Sequence, residues 1–328
     1  MKALLCSSFG TTENLSLQEI ESPQPSKGQV LIEVKACGIN FPDSLIIQNK
    51  YQFKPELPFA PGGEVSGVVK EVGDGVQHVK VGDHVFALTG WGGLAEEVVA
   101  DAYKTLPMPK GMDFITGATT MYTCGTSLHA LKQRANLKEG ETLLVLGAAG
   151  GVGLAAVQIG KLMGAKVIAA ASTDEKLAIC KAKGADFTIN YSTTDLREKI
   201  KELTNNEGVD VVYDPIGDRF SEPAVRSLAW QGRYLVVGFA AGSPASIPLN
   251  LPLLKGASIV GVFWGAFAQK QPQESMENFK QILNWIQSGQ LQQHIHKTYS
   301  LKEGALAIQE LMERKVIGKN VIDMGIVH

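Results

Sequence analysis

Two stretches of this chain carry residue types and spacings that could do chemistry. The first is VLGAAGGVGLAAVQIGKLMGA, residues 145–165, a glycine-rich turn that follows an apolar run and opens a helical pattern. Glycines in that context let the backbone turn sharply and approach a pyrophosphate, whose charge is met by free N–H groups at a helix N-terminus. The strict G-x-G-x-x-G pattern would begin at Ala148, so the match is Ala148, Gly150 and Gly153 with one departure; Ala149, Gly150, Gly151 and Val152 are the candidate phosphate-side residues. The second stretch is CGINFPDSLIIQNKY, residues 37–51, which sets Asn40, Asp43 and Tyr51 among Ile39, Phe41, Leu45, Ile46 and Ile47. Such polar groups either decorate an ordinary loop or line a pocket, and the segment alone does not decide between the two.

The end of the next strand addresses which dinucleotide the first stretch would take. A site for NAD usually shows an acid there to hold the ribose 2′-hydroxyl. Here the strand reads AAAST, with Ser172 and Thr173 where the acid would stand, Lys176 just beyond, and Tyr191 ending the following strand. Small hydroxyls and a cation suit a 2′-phosphate, which favours NADPH. Asp174 is the alternative, since a strand two residues longer would return an acid to the position.

These residues need elements to position them. The first third of the chain reads as β-rich: residues 29–39 alternate, 64–73 are valine-rich, and GDHVFAL and LAEEVVA follow at short intervals with glycine and proline punctuation. This predicts a small, barrel-like antiparallel domain. From about residue 114 the texture becomes helical and then alternates. Strands are expected at 142–147, 166–171, 187–190, 209–214, 233–239 and 258–263, with helices at 152–163, 174–183, 194–204 and 219–230. Nearly continuous apolar strands separated by helices mean a parallel sheet covered on both faces, a doubly wound dinucleotide-binding fold. The tail returns to helix and closes on a strand at KNVIDM.

Composition bounds the rest. A chain of 328 residues suggests two domains, and a net charge of −2 with interspersed signs argues against nucleic acid or an anionic membrane as the main partner. Cysteines 6, 37, 124 and 180 show no paired spacing, so neither a disulfide framework nor a cysteine-rich zinc site is expected, and a reducing, cytoplasmic setting is. No window reaches the roughly 18 apolar residues of a membrane span, and the N-terminus does not read as a signal peptide.

Taken together, GINFPDSLIIQNKY, LPFAPGGEVSGVVKEVG, GDHVFAL, GGLAEEVV, GAAGGVG and VVGFAAG resemble the medium-chain dehydrogenase/reductase superfamily over essentially the whole chain, and within it the zinc-free quinone oxidoreductase branch that includes zeta-crystallin. The resemblance implies a GroES-like catalytic domain over 1–122 and 266–328 and a Rossmann domain over 123–265. Where zinc-dependent relatives carry a metal-binding Cys and His, this chain has Asn40 and Gly63, and the four-cysteine structural zinc block is missing, so no metal is expected. By the same resemblance Asn40 sits beside the nicotinamide and Tyr51 overhangs the substrate. Asp43 is read chiefly as fixing the loop through backbone hydrogen bonds. Related enoyl-thioester reductases are thought to use a similarly placed Tyr as proton donor, and a phenol with a pKa near 10 is able to act so.

The resemblance also carries over Thr126 near the nicotinamide amide, Gly238 and Phe239 along the cofactor, and the turn Phe263, Trp264, Gly265, with Trp264 facing substrate as well. Lys319 is expected at the cofactor entrance with Asn320 beside it; His129 and Cys124 read as packing residues. The implied activity is NADPH-dependent, metal-free reduction of quinones or of the C=C bond of conjugated carbonyls. The alternatives are an enoyl-thioester reductase, or an NADPH-binding structural or nucleic-acid-associated protein with little turnover. Relatives join two sheets through the sixth strand, which here is apolar and unguarded, so a homodimer is expected.

Overall fold

A computed structural model describes residues 1–326 of the chain, which divides into two compact units: Met1–Tyr122 with the segment from Gln293 onward, and Thr123–Gln292.

In the first unit the long strand Gln29–Gly38 organises everything else. Its apolar positions are buried almost without interruption, and it pairs antiparallel with Glu64–Val72 along one edge. Along its other edge the first half pairs with Glu97–Asp101 and the last three residues with Val321–Asp323. Ile295–Tyr299, Lys319–Asp323, His84–Leu88 and Thr105–Pro107 complete a seven-stranded sheet, and Lys2–Cys6 pairs with Leu15–Glu19 beside it. Val30, Ile32, Val34, Ile46, Ile47, Val65, Val85 and Ile322 share one core. The C-terminal strand thus reaches Gly38, and the N–H of Ile39 donates to the carbonyl of Asn320 at 3.0 Å. Gly38 itself must be glycine, because a Cβ there would fall 2.0 Å from the carbonyl oxygen of Ala118.

The second unit is a six-stranded parallel sheet in the order Phe187–Asn190, Lys166–Ala171, Thr142–Leu146, Val209–Asp214, Leu228–Val236, Ser258–Gly261. This is the doubly wound order, with the chain reversing direction of growth beside Thr142–Leu146. Helices Gly151–Leu162, Asp174–Ala182, Leu196–Leu203 and Ser221–Arg226 connect the strands.

Two expectations need correction here. The helix expected over 219–230 ends at Arg226, and the fifth strand begins at Leu228 rather than 233. It starts in register with Val209, bulges over the next residues where Gln231 takes a left-handed φ of 60°, and resumes pairing at Arg233. The second correction concerns residues 266–292, expected with the barrel, which pack within the dinucleotide unit. Asn278, on the helix Pro272–Gln287, exchanges two amide hydrogen bonds with Gln133 at 3.0 and 3.1 Å, and Gln158 holds the backbone of Gln292. Among the described residues no helix is long and apolar enough to cross a membrane.

Candidate active site

In the first unit the segment that opened the question folds back on buried charge. Strand Gln29–Gly38 delivers Asn40, strand Glu64–Val72 delivers Glu64 and strand Lys319–Asp323 delivers Lys319, all three adjacent because the strands pair there. The Lys319 ammonium donates to the Ile39 carbonyl at 2.9 Å, to Asn40 Oδ1 at 2.5 Å and to Glu64 Oε2 at 3.4 Å. Three donors meet three acceptors, which uses the whole capacity of the ammonium. Asn40 Nδ2 in turn donates to Glu64 Oε2 at 2.9 Å and to the Gly38 carbonyl at 3.2 Å. The other Glu64 oxygen accepts the backbone N–H of Tyr122 at 2.9 Å. Lys319 is 3% exposed and Glu64 fully buried, so each charge depends on the other and on these hydrogen bonds.

This geometry corrects the expectation for Lys319, which does not stand at an entrance but behind Asn40, its charge turned inward. It also narrows Asn40: both amide protons are taken by Gly38 and Glu64, so the side chain has an acceptor lone pair to offer and no donor. Asp43 is buried on the short helix Phe41–Ile46, one oxygen accepting the N–H of Asn40 at 2.7 Å and the other that of Gly62 at 3.1 Å. It pins the loop rather than facing outward. Burial outweighs those bonds and the nearby Lys319, and lifts its carboxyl to about 6. Asn320 is equally inward, its Nδ2 on the carbonyl of Ala307 at 3.0 Å.

Tyr51 lies half-buried against the core, its ring edge-on to Phe53 at 5.7 Å. Burial pushes the phenols of Tyr51 and Tyr122 up, Tyr122 well above its ordinary range, so both hold their protons at neutral pH. Burial, with the carboxylates of Asp43 and Glu64, also pushes the Cys37 thiol well up, which keeps it protonated and unreactive. Tyr122 was not among the candidates, and nothing in TMYTCG marks it; its partners are far away in sequence.

The second unit carries the glycine loop. Gly147 adopts φ +56°, and a Cβ on Gly153 would come within 2.4 Å of the Gly147 carbonyl, so this glycine lets helix Gly151–Leu162 seat against the strand. A Cβ on Gly150 would meet nothing nearer than 3.5 Å, and no side chain caps the helix, so its leading N–H groups are presented by backbone alone. At the end of the second strand, Tyr191 N–H donates to Ala171 O at 3.1 Å and Lys176 Nζ to Ser172 Oγ at 3.3 Å, bringing Ser172, Lys176 and Tyr191 to one corner. The strand stops at Ala171, so Asp174 is not its terminal acid; it begins the next helix and accepts from Asn190 Nδ2 at 2.8 Å, while Thr173 caps that helix. An uncapped helix N-terminus with a lysine and hydroxyls at the neighbouring strand end fits a phosphorylated dinucleotide.

Elsewhere in this unit Asp214, at the end of the fourth strand, accepts from the N–H groups of Ile216 and Gly217 at 2.8 Å and from Ser221 and Tyr234, which fixes the turn that backs Gly147 and Gly238. Phe239 and Phe263 are exposed, Gly265 follows on a short helix, and the Trp264 indole lies directly over Gly125, one residue before half-buried Thr126. His129 stacks on Phe267 at 3.9 Å, a packing role. Among the described residues no group of three or more His, Cys, Asp or Glu side chains is placed to hold a metal ion.

Comparison with known proteins matches residues 26–110 to the family described as alcohol dehydrogenase GroES-like domain and residues 151–287 to that described as zinc-binding dehydrogenase. The chain is 38% identical over 324 residues to quinone oxidoreductase-like protein 2 of Bos taurus, covering 98% of this chain and 92% of that one. Among solved structures, a Pseudomonas syringae quinone oxidoreductase superposes with a TM-score of 0.92 at 32% identity, covering 98% of this chain and 99% of that one. An Escherichia coli quinone oxidoreductase, solved in complex with NADPH, also reaches 0.92 at 29% identity, covering 98% and 100%.

Proposed function

The chain belongs to the quinone oxidoreductase family of the medium-chain dehydrogenase/reductases, and from that premise we propose an NADPH-dependent reductase that acts on quinones or on the C=C bond of conjugated carbonyls without a catalytic metal. The observation that carries the reading is the Lys319–Asn40–Glu64 cluster, an ammonium with every donor spent beside Asn40, the position that the resemblance aligns with a metal ligand of zinc-dependent relatives. A cation so occupied cannot polarise an alcohol oxygen, so the acceptor must delocalise its own developing charge, as quinones and enones do. Bound NADPH supplies hydride from its nicotinamide C4. The leading N–H groups at Gly151 and Val152 and the turn at Ala149 and Gly150 take the pyrophosphate, and Ser172, Thr173, Lys176 and Tyr191 the 2′-phosphate end. Gly238, Phe239, Phe263, Trp264, Gly265 and Thr126 serve the rest of the cofactor. Tyr51 gives the proton, while Asn40 and Asp43 hold its loop.

Steady-state assays with NADPH, several quinones and several enones, with and without chelator, test this. Chelator-insensitive reduction is expected; chelator-sensitive alcohol oxidation would overturn it. For assembly the reading is a homodimer through the edge strand Ser258–Gly261, supported by Ile259 on that strand and by exposed Trp230, Leu249, Leu253 and Leu254 nearby. A monomeric mass by light scattering at micromolar concentration removes that part. Four buried thiols suit a reducing, cytoplasmic setting.

A further inference from the structure

The corner at the end of the strand Lys166–Ala171 holds an acid as well as a lysine, and the acid is tied. Asn190 closes the strand Phe187–Asn190 and pairs with Ala171, so it stands beside the segment that carries Ser172, Thr173 and Asp174. The turn that follows orients its amide, because the backbone N–H of Ser192 donates to Asn190 Oδ1 at 3.1 Å. A backbone N–H only donates, so the amide oxygen is fixed on Ser192 and the NH2 group is the end left for another partner. That partner is Asp174, whose Oδ1 accepts from Asn190 Nδ2 at 2.8 Å. In the same corner Lys176 Nζ donates to Ser172 Oγ at 3.3 Å, and Thr173 Oγ1 accepts the Lys176 N–H at 3.3 Å. One fixed anion therefore borders the hydroxyls and the cation that suit a phosphate. Asp174 is exposed, and its carboxylate left to turn would oppose a 2′-phosphate and accept a ribose 2′-hydroxyl.

We propose that Asn190 is a positioning residue that sets cofactor choice: it holds the Asp174 carboxylate against the end of its own strand and so leaves the corner to Ser172, Thr173 and Lys176. This rests on the reading that the corner takes the 2′-phosphate of NADPH. Asp174 opens the helix Asp174–Ala182, where a carboxylate is favourable at the N-terminal end, so the residue has a use that does not involve the cofactor. Tied, it serves the helix without meeting the phosphate. Freed, it becomes the acid that a site for NADH shows, reached from two residues further along the chain. Asn190 thus acts through Asp174 rather than on the phosphate itself, and the choice between the two cofactors is set partly from the neighbouring strand.

The experiment measures equilibrium binding of NADPH and of NADH to the wild type, Asn190→Ala, Asp174→Asn and the double variant. Asn190→Ala is expected to lower the NADPH:NADH affinity ratio about tenfold, the effect of a freed carboxylate near a phosphate at a protein surface, and the loss should shrink as salt is raised. Adding Asp174→Asn to Asn190→Ala removes the charge that needs holding and should return the ratio to within about threefold of the wild type. A ratio unchanged in Asn190→Ala overturns the inference, while the cofactor reading stands as long as the wild type itself prefers NADPH. A lowered ratio that Asp174→Asn does not restore also overturns it, because the loss then comes from a loosened turn at Tyr191 and Ser192. If the wild type binds both cofactors equally, the corner does not take the 2′-phosphate, and reading and inference fail together. Should Asn190→Ala not fold, Asn190→Ser removes the amide donor and keeps a side-chain oxygen for the Ser192 N–H. It must lower the ratio in the same way, and no change is again a refutation.

Discussion

Replacing Lys319 by Met should destabilise the first unit far more than a lysine substitution ordinarily does. Glu64 is fully buried, and without the ammonium its charge would rest on only the Asn40 amide and the Tyr122 N–H. Removing one partner of a buried ion pair costs about 3–5 kcal/mol, because the remaining charge is left uncompensated. For a domain of this size class each kcal/mol lowers Tm by about 2–4 °C, so Lys319→Met should lose roughly 6–20 °C. Glu64→Gln should cost less, about 1–3 kcal/mol, since the ammonium keeps the Ile39 carbonyl and Asn40 Oδ1. The double variant removes both charges and should fall near Glu64→Gln alone, a coupling of about 3–5 kcal/mol, the whole cost of Lys319→Met. Thermal and urea unfolding of the four proteins measures it. Strictly additive losses would show that the two charges do not compensate each other, and the account of why Lys319 is buried would be wrong.

Three further outcomes follow from the same geometry. Lys176→Ala should weaken NADPH by about one to two orders of magnitude while sparing NADH, the worth of a charge-assisted phosphate contact; equal losses by equilibrium binding would disconnect Lys176 from the 2′-phosphate. Asp43 is raised from near 3.8 to about 6, so its contribution to stability is fully present below the lower value and is lost as pH rises through the upper one, about 3 kcal/mol in all. Asp43→Asn cannot ionise, so the stability difference between wild type and variant should drift by that much from well below the lower value to well above the upper one, and a flat difference refutes the assignment. Gly153→Ala should abolish dinucleotide binding or folding of the second unit, because its Cβ meets backbone at 2.4 Å; a folded variant with normal NADPH affinity by titration would show that the helix can shift.

Much of the dinucleotide unit was legible because its strands are buried on both faces, and runs such as 142–147 and 166–171 admit no other reading. The fifth strand was misread because AWQG carries a bulge: Gln231 and Gly232 break the apolar run, and only pairing with Val209 reveals that the strand has already begun. The site was legible in its residue types and not in their wiring. Asn40, Asp43 and Tyr51 stand out in a short stretch, but Tyr122 and Glu64 join them across the fold. Lys319, in IGKNVI, is expected at the cofactor entrance; what buries it is the pairing of Val321 with Gly38, a contact nearly the whole chain length apart.

That wiring bears on the chemistry. A lysine placed behind an amide can orient it and offset a carboxylate, yet an ammonium has no vacant position for an incoming oxygen, and here its three protons go to Ile39, Asn40 and Glu64. Asn40, held by both charged partners, has no proton left for a carbonyl. On the proposed reading every proton donor of the cluster is therefore spent on fixing the floor of the site, and Tyr51 is the residue that gives a proton. An acceptor that needs its oxygen polarised before hydride arrives finds no help from such a floor. One that spreads the incoming charge over a ring or a conjugated carbonyl needs only a flat, fixed surface and a proton afterwards.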